Sequence, residues 1–484
     1  MIASYVFASA ERAPERTAIV VNERRLSYGE FARAIEAMIQ SLAGAGIGGS
    51  GYAVVAIDNL LEHWIFSLAL RELGLTTVPT MSVANVAQLG LAEIRCVVTH
   101  ADEAWPGLEA LALAQGWPLV RVRWGDVLAR PIEVGRRRAE LPGEHVLQTS
   151  ATTGFYKKVL IASGFEPALI AARAKGDDLD GEARYALFNF GAWTAGGYKA
   201  AAALWLAGGA VVQWQGPEMH RCLAEPGLTH ADTLPDQLAR ILAAPAGALP
   251  WQGQMQLFFS GGTPRQAQVD AARARLTTQI WNSIGATEAL TFAETLLETP
   301  DDRRWHILRP DRDPQVVDEA DRPVRVGEVG RLRVSTAGGP DGYLNDAAAT
   351  AAFFRGGYFY TGDLATIRAD GRLALMGRIT DVINVMGQKI SPAPYEDELC
   401  ERLDVAGACL FSRQDESGDE ELHVVLECAA PITAERLTRA LRQTLHGFPR
   451  AHVHHLAALP RNANGKLLRG EVQRAAATRA AALL

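Results

Sequence analysis

The sequence predicts an α/β protein with a large N-terminal part and a smaller α+β part towards its C-terminal end. With 484 residues the chain exceeds what one hydrophobic core usually supports, so at least two domains are expected. Up to about residue 290, short β-branched runs alternate with segments of helical periodicity, which is typical of a parallel sheet covered by helices. Short strands with Gly- and Asp-rich corners follow, and a compact α+β module begins at about residue 381.

The first elements are a strand, a turn and a helix within residues 17–43. The run TAIVV predicts the strand, and residues 22–25 predict the turn. Ser27 stands three residues before Glu30, so a capping box is expected at the start of the helix.

The alternation of strands and helices continues through the middle of the chain. Strands are predicted at 52–57, 94–100, 145–150, 183–190, 211–214 and 255–260. Helices are predicted around 60–73, at 167–175, at 194–209, near 232–242 and at 265–276. Gly208 and Gly209 are expected to end the helix that precedes them.

Charge and cysteine content argue against several classes of function. The formal net charge of −7 gives no general attraction to nucleic acid or to an anionic membrane. The five cysteines are odd in number and lack C-x-x-C spacing, which argues against a disulfide framework or a zinc site. Without a targeting pattern or a long apolar run, a cytoplasmic protein that binds neither nucleic acid nor membrane is expected.

The segment Thr149–Val159, TSATTGFYKKV, has the composition of a phosphate-binding loop. Small residues let backbone N–H groups converge on an anion, hydroxyl groups add donors, and a lysine adds a mobile charge. The same composition is also typical of an ordinary surface turn, so composition alone leaves both interpretations open. The spacing G-x-x-x-x-G-K-[ST] is missing, which excludes a P-loop.

This loop is the first of five motifs that follow one another along nearly the whole chain. The others are NSIGATE at 282–288, YTGDLA at 360–365, GRITDVINVMGQKISP at 377–392 and PRNANGKLLR at 460–469. Together they resemble the adenylate-forming superfamily of acyl- and aryl-CoA synthetases, peptide-synthetase adenylation domains and luciferase. The resemblance implies stacked, mostly parallel sheets in a domain of residues 1–378, with a β-rich subdomain at about 310–378. It also implies a mobile α+β lid domain at 379–484.

The resemblance implies a two-step reaction that uses ATP and Mg²⁺. The carboxylate of a substrate acid attacks the α-phosphate of ATP, which gives an acyl-adenylate and pyrophosphate, and a thiol then displaces AMP. The thiol would belong to coenzyme A or to the phosphopantetheine of a separate carrier protein. Because the first step joins two anions, it needs positive charge, magnesium and positioning more than covalent catalysis.

Matching positions in the motifs imply roles for individual residues. Lys466 corresponds to the lysine that bridges the substrate carboxylate and the α-phosphate, and Thr287 to a contact with that phosphate. Glu288 corresponds to the magnesium ligand, an oxygen donor of the kind that Mg²⁺ prefers. The other expected ATP- or AMP-binding residues are Thr149, Ser150, Thr152, Thr153, Gly154, Lys157, Gly261, Gly262, Thr263, Asn282, Ser283, Ile284, Asp363 and Arg378. Outside the motifs, Thr287 and Glu288 would indicate only a helix start, and Lys466 a solvated lysine.

Further positions concern the movement of the lid and the approach of the thiol. Thr380 stands at the hinge, where the superfamily usually has Asp or Lys. Gly387 and Lys389 match the segment that lines the thiol tunnel after the lid has turned.

Three residues depart from the motifs. Ala151 replaces a glycine, Tyr156 a proline, and Ile284 the aromatic residue that stacks on adenine. Alanine is strained if its position needs a positive φ, and an aliphatic side chain at 284 implies weaker ATP binding.

The acid pocket is expected after the strand that ends at Phe188, because ligands lie at the carboxyl ends of parallel strands. The expected acid-binding residues are Asn189, Phe190, Trp193, Thr194, Gly261 and Ile284. Asn189 is neutral where relatives that activate α-amino acids carry an aspartate, which argues against such a substrate. The segment resembles that of aryl-acid-activating enzymes, so a small aryl or heteroaryl acid is predicted, and a short or medium aliphatic acid stays open. Phe190 and Trp193 could equally be core aromatics.

Three functions therefore remain open. The first is an acid–CoA ligase, and the second is an adenylation enzyme that loads a separate carrier protein. The third is a nucleotide-binding regulatory protein that has lost turnover, suggested by Ala151, Ile284 and Thr380. The presence of Lys466, Glu288 and Asp363 favours the two enzymes, because an active site needs every role filled.

Overall fold

The structure is a computed structural model, which describes residues 2–123, 141–149, 157–188, 190–385, 388–414, 420–428, 432–448, 451–461, 467–477 and 482–483. Its helices are α1 Ile2–Arg12, α2 Tyr28–Gly44, α3 Leu60–Glu72, α4 Val83–Ala87, α5 Leu108–Gln115, α6 Glu166–Gly176, α7 Ala195–Ala207, α8 Pro235–Leu242, α9 Gln266–Arg275, α10 Ala347–Phe353, α11 Ala393–Leu403, α12 Ala434–Thr444 and α13 Arg469–Ala477.

The strands of the N-terminal part are β1 Thr17–Val21, β2 Arg24–Ser27, β3 Tyr52–Ala56, β4 Thr76–Pro79, β5 Ile94–His100, β6 Leu119–Val122, β7 His145–Thr149, β8 Lys157–Ile161, β9 Arg184–Phe188, β10 Ala210–Gln213, β11 His230–Thr233, β12 Gln256–Phe259, β13 Ile280–Ala286 and β14 Leu290–Leu296. The later strands are β15 Gln315–Val317, β16 Gly330–Ser335, β17 Phe354–Arg355, β18 Tyr358–Ile367, β19 Leu373–Arg378, β20 Ile383–Val385, β21 Gln388–Ile390, β22 Gly407–Gln414, β23 Glu420–Glu427, β24 Ala451–Leu456 and β25 Ala482–Leu483.

Two mostly parallel sheets make up the first 296 residues. Within the described ranges, one sheet has eight strands in the order β14-β13-β12-β11-β9-β10-β1-β2, and the other has six in the order β6-β5-β3-β4-β7-β8. Antiparallel pairing occurs where β14, β2 and β8 join. The predicted α/β fold with stacked, mostly parallel sheets is therefore confirmed.

One large hydrophobic core joins both sheets to the helices α2, α3 and α7. Trp205 of α7 lies edge-on to Trp64 of α3, with 5.0 Å between ring centroids, and 5.2 Å from Phe31 of α2. Every residue of α7 from 197 to 205 is buried, as expected for a helix that is apolar on nearly all sides. The interior position of α7 makes any charged residue on it unusual.

The rest of the chain forms smaller sheets. Strands β15 to β19 form one sheet between residues 315 and 378, within the range predicted for the β-rich subdomain. Strands β22 to β25 form another, and it packs against α11 and α12. The division into domains at residues 378 and 379 stays a prediction. None of the described helices is both long enough and apolar enough to cross a membrane.

Local structure agrees with most of the expected elements. Ser27 and Glu30 form the predicted capping box, with the Ser27 N–H donating to Glu30 Oε2 at 2.8 Å. The predicted helix near 232–242 begins only at Pro235, because Asp232 belongs to the buried strand β11. Helix α1 was not predicted from the sequence.

Candidate active site

The carboxyl ends of β9, β11, β12 and β13 lie side by side at one edge of the eight-stranded sheet. This edge brings together the predicted acid-binding positions Phe190, Gly261 and Ile284. Phe188, the last residue of β9, is buried and has a φ of 41°, a region that bulky residues rarely adopt. Backbone strain of this kind clusters at functional sites, and here it immediately precedes the predicted pocket segment.

Trp193 and Thr194 have clear structural contacts at the start of α7. The Thr194 hydroxyl caps the helix by accepting a hydrogen bond from the Gly197 N–H at 3.0 Å. The Trp193 ring lies edge-on to His63 at 5.3 Å and leaves no room for a side chain at Gly191. Both residues therefore shape the first turn of α7, next to the strand ends.

The residues that follow β12 form an exposed turn, Gly261 to Thr263. Gly261 has a φ of 72°, and a Cβ atom there would come within 2.8 Å of Leu234, so only glycine fits. Gly262 and Thr263 complete the turn.

On β13, the three predicted ATP- or AMP-binding residues differ in their contacts. Asn282 is buried, and its Nδ2 has no hydrogen-bond partner among the described residues. Ser283 donates to Glu294 Oε1 at 2.7 Å. Ile284 is half-buried and packs against the core.

Glu288 lies in the turn between β13 and β14 and is 7% exposed. The Tyr343 hydroxyl donates a hydrogen bond to its Oε1 at 2.7 Å. Lys157 Nζ lies 3.4 Å from the ring centroid of Phe353 and 4.9 Å from that of Tyr343. Burial lowers the pKa of Lys157, and the negative charge of Glu288 opposes that shift. Tyr343 is thus shared by the two residues, with Glu288 at its hydroxyl group and Lys157 over its ring.

The two ends of the predicted phosphate loop are neighbours. Thr149 at the end of β7 is paired with Lys157 at the start of β8, in antiparallel register. Thr287, half-buried, directly precedes Glu288. The loop therefore leaves and rejoins the sheet beside the group that contains Glu288.

Asp363 and Arg378 form an ion pair across β18 and β19, with 2.9 Å between Arg378 Nε and Asp363 Oδ1. Arg378 also donates to the carbonyl oxygen of Thr361 at 2.7 Å. Between Thr361 and Asp363, Gly362 adopts a φ of 80°, and a Cβ atom there would lie 3.2 Å from the Arg378 guanidinium. This part of β18 thereby presents a carboxylate whose orientation is set by the Arg378 guanidinium.

The hinge and tunnel positions lie apart from these groups in the chain. Thr380 is exposed, and its hydroxyl donates to Asp381 Oδ1 at 3.2 Å. Asp381 in turn pairs with Arg469 at 3.0 Å. Lys389 is exposed on β21.

Several predicted site residues lie outside the described residues: Ser150, Thr152, Thr153, Gly154, Asn189, Gly387 and Lys466, together with Ala151 and Tyr156. Their roles stay predictions.

The structure also shows polar residues near the site that the sequence did not single out. Tyr343 contacts Glu288, although 55 positions separate them. Asp232 accepts a hydrogen bond from Ser260 at 2.5 Å at the ends of β11 and β12, and burial raises its pKa to about 6. Lys199 is buried within α7. For Asp232 and Lys199, the one signal in the sequence is a charged residue inside an otherwise apolar segment that is expected to be buried.

These residues fit a magnesium-bound nucleotide. No described residue donates a hydrogen bond to the second oxygen of Glu288, Oε2, and a hard oxygen donor of this type suits Mg²⁺. Among the described residues no group of three or more His, Cys, Asp or Glu side chains could hold a metal ion. Magnesium bound through one carboxylate and nucleotide phosphates does not need such a group.

With this fold and these polar groups, the protein falls in the class of adenylate-forming enzymes. The sequence model of the AMP-binding enzyme family matches residues 6–344, and the chain belongs to that family. The resemblance found in the five motifs is thereby confirmed.

The chain is similar to proteins of two kinds. It is 25% identical over 487 residues to the 2-succinylbenzoate–CoA ligase of Bacillus licheniformis, an alignment that covers 95% of this chain and 97% of the ligase. It is 27% identical over 481 residues to the nonribosomal peptide synthetase CymA of Salinispora arenicola, and this alignment covers 95% of this chain. The chain spans only 6% of the length of that synthetase.

Solved structures share the fold over nearly the whole chain. The o-succinylbenzoate CoA synthetase of Bacillus subtilis in complex with its acyl-adenylate intermediate superposes with a TM-score of 0.81, at 19% identity and 97% coverage of both chains. The same synthetase has been solved with ATP and a magnesium ion.

Proposed function

We propose that this chain is an ATP-dependent acid–thiol ligase that activates a small aryl or heteroaryl carboxylic acid and passes the acyl group to coenzyme A. The observation that carries the proposal is the buried Glu288 carboxylate, held by Tyr343 and accompanied by Lys157 at the end of the predicted phosphate loop. A carboxylate for Mg²⁺ and a cation for phosphate oxygens are what a bound polyphosphate requires.

In the first step, a carboxylate oxygen of the acid bonds to the α-phosphorus of ATP. The bond from that phosphorus to the oxygen shared with the β-phosphate breaks, and pyrophosphate leaves. Mg²⁺, when bound, offsets the charge of the phosphates. Glu288 holds that ion, Lys157 holds the departing pyrophosphate, and Lys466 bridges the two reacting anions.

In the second step, the thiol sulfur bonds to the acyl carbon and the bond from that carbon to the adenylate oxygen breaks. AMP leaves, and the thiol proton passes to solvent. Residues 379–484 would turn about Thr380 between the steps, which exchanges Lys466 for Gly387 and Lys389 near the reacting carbon.

The nucleoside end has its own partners in this proposal. Asp363 accepts hydrogen bonds from the ribose hydroxyls, and the ion pair with Arg378 orients its carboxylate. Thr287 contacts the α-phosphate, while Asn282, Ser283 and Ile284 lie along the adenine side.

Two considerations support an aromatic acid. Asn189 offers no carboxylate to an α-ammonium group, and Phe190 and Trp193 supply apolar, flat surfaces near the strand ends. The ligase from Bacillus licheniformis acts on 2-succinylbenzoate, an aromatic acid.

A second candidate function is the loading of a separate carrier protein. It is favoured by the similarity to a segment of a nonribosomal peptide synthetase. The two candidates share the first step and differ only in the thiol that accepts the acyl group.

Pyrophosphate exchange over a panel of carboxylic acids tests the first step. We expect exchange with at least one aryl acid, its loss in Lys466→Ala, and no change in Lys175→Ala, which alters an exposed lysine of α6. Release of AMP with coenzyme A or with a phosphopantetheinylated carrier protein then separates the two candidates. Absence of exchange with every aryl and short-chain acid would overturn the proposal and favour a regulatory nucleotide-binding protein.

A further inference from the structure

Lys199 is a buried lysine that has no ion-pair or hydrogen-bond partner anywhere in the part of the chain that the structure describes. It lies in the interior helix α7 and is 8% exposed. An unpaired ammonium group in an apolar interior is strongly unfavourable, and lysine is almost never fully buried without a partner. The residue therefore needs an explanation beyond packing.

The charged groups around Lys199 are already engaged with other partners. Arg173 pairs with Asp177 at 2.6 Å, and Arg312 lies 3.3 Å from Asp311. The nearby carboxylates are Asp232, which accepts from Ser260, and Glu288, which accepts from Tyr343. Burial and the two arginines lower the pKa of Lys199 to about 7, against the attraction of the two carboxylates. Four charged groups thus lie near this ammonium, and none of the described residues forms a hydrogen bond or an ion pair with it.

Lys199 faces the edge where the substrate acid is expected. A Cβ atom added at Gly196 would lie 3.8 Å from Asp232 Oδ2, so this face of α7 looks onto the end of β11. Lys199 is three residues further along α7 and therefore projects from the same face. Asp232 and Glu288 stand at the ends of β11 and β13, on either side of β12 and Gly261.

We propose that Lys199 determines substrate choice by binding a second oxygen substituent of the aromatic acid, either a phenolic hydroxyl group or a second carboxylate. This inference rests on the proposed function and deepens it. The activated carboxylate stays near the nucleotide, while the second oxygen receives a hydrogen bond from the Lys199 ammonium. Asp232, next to Lys199, can accept the proton of a hydroxyl group.

The test is direct binding of acids without ATP, measured by calorimetry, so that it does not depend on turnover. The ligands are benzoate, the three monohydroxybenzoates, and the three benzenedicarboxylates. The proteins are the wild type, Lys199→Met, which keeps length without charge, and Lys199→Gln, which keeps a donor. Lys175→Met is the matched control, since Lys175 is exposed on α6. Each protein is also assayed by pyrophosphate exchange.

We expect at least one substituted acid to bind more tightly than benzoate, and Lys199→Met to weaken it about ten-fold or more while benzoate is unaffected. If the preferred ligand is a phenol, Lys199→Gln retains part of the affinity, and if it is a dicarboxylate, Lys199→Gln behaves like Lys199→Met.

Equal losses for benzoate and for the substituted acids would show a structural role for Lys199 and overturn the inference. If pyrophosphate exchange occurs but ring substituents do not change the affinity for the acid, the inference about Lys199 is also overturned. The ligase proposal would then remain intact. Preferential binding of substituted acids without any exchange would support the pocket assignment and contradict the ligase proposal. If none of these acids binds, the inference about Lys199 is wrong, and pyrophosphate exchange over the wider panel of acids decides the ligase proposal separately.

Discussion

Tyr198 and Lys199 are adjacent polar residues buried in α7, and they differ in whether they have hydrogen-bond partners within the described residues. The Tyr198 hydroxyl is hydrogen-bonded to both Glu166 and Arg71, and its ring stacks on His145 with 4.1 Å between centroids. Lys199 has no partner among the described residues. A polar group whose hydrogen bonds are complete within the protein has a structural role, whereas one left incomplete at a pocket indicates a missing ligand.

In the environment of Tyr198, each side-chain nitrogen of Arg71 and both oxygens of Glu166 have a hydrogen-bond partner. Arg71 donates to both oxygens of Glu166, at 3.0 and 2.7 Å, and to the Gly143 carbonyl oxygen at 2.7 Å. The two side chains are 3% and 0% exposed. This cluster joins α3, α6 and α7 to β7, the strand that leads into the predicted phosphate loop. Its loss should therefore affect the fold before it affects the chemistry.

The strongest test of the comparison is Arg71→Met. Removing one partner of a buried ion pair leaves the other charge uncompensated, so we expect the free energy of unfolding to fall by about 3–5 kcal/mol. Denaturant unfolding followed by circular dichroism measures it. Arg322→Met is the control, because its pair with Asp318 is exposed and should change stability by less than about 1 kcal/mol. Similar losses of unfolding free energy in Arg71→Met and Arg322→Met would contradict a structural role for the cluster around Tyr198.

Glu166→Gln and Glu288→Gln compare two buried carboxylates. Glutamine at 288 keeps an oxygen for the Tyr343 hydroxyl but loses the charge for Mg²⁺, so we expect pyrophosphate exchange to fall about 100-fold or more with little loss of stability. For Glu166→Gln we expect a large loss of stability and little loss of exchange, because Arg71 loses its counter-charge. Parallel measurement of exchange and thermal unfolding checks both. Loss of stability in Glu288→Gln equal to that in Glu166→Gln would remove Glu288 from the proposed site.

Asp363 differs from both Tyr198 and Lys199, because it has a partner within the protein, Arg378, and is also proposed to bind a ligand. Asp363→Asn tests this third case. The carboxylate is held by Arg378, but its side chain is 19% exposed and so remains accessible to a ribose. We expect the KM for ATP to rise about ten-fold, because hydrogen bonds to a charged acceptor are stronger than those to an amide. Steady-state exchange over a range of ATP concentrations measures this effect. An unchanged KM for ATP would show that the pair of Asp363 with Arg378 has only a structural role.

The last prediction is a pH dependence of stability that belongs to Lys199. Its pKa is lowered from 10.5 to about 7 by burial and by Arg173 and Arg312. Between these values the unfolded chain binds more protons than the folded one, so stability rises with pH across that window. Lys199→Met should therefore be more stable than the wild type at or below pH 7, and the difference should shrink towards pH 10.5. Thermal midpoints of the wild type and of Lys199→Met at several pH values measure this difference in stability. If the two midpoints change in parallel with pH, the prediction is wrong.

The sequence predicts those features that depend on neighbouring residues. The bounds of α7 follow from its apolar pattern and from Gly208, which adopts a φ of 85° at the C-cap. The capping box of α2 follows from Ser27 and Glu30 in the same way. In both cases the interacting groups lie within a few residues of one another.

The surroundings of Lys199 could not be predicted, because they come from α6, β11 and the turn after β13. The motifs indicate what Glu288 binds, but not that Tyr343 holds it. The predicted start of α8 near residue 232 is too early, because Asp232 lies in the buried strand β11. Long-range partners of this kind are decided by the fold and leave no local pattern.

The hydrogen bond between Tyr343 and Glu288 also bears on how the chain can be divided for expression. A fragment that stops before Tyr343 would contain all the strands of both large sheets, yet it would bury Glu288 without its donor. An unsatisfied buried carboxylate costs about 1–3 kcal/mol or more. The shortest fragment suited to binding studies should therefore extend past Tyr343, through α10 and Phe353, which packs under Lys157.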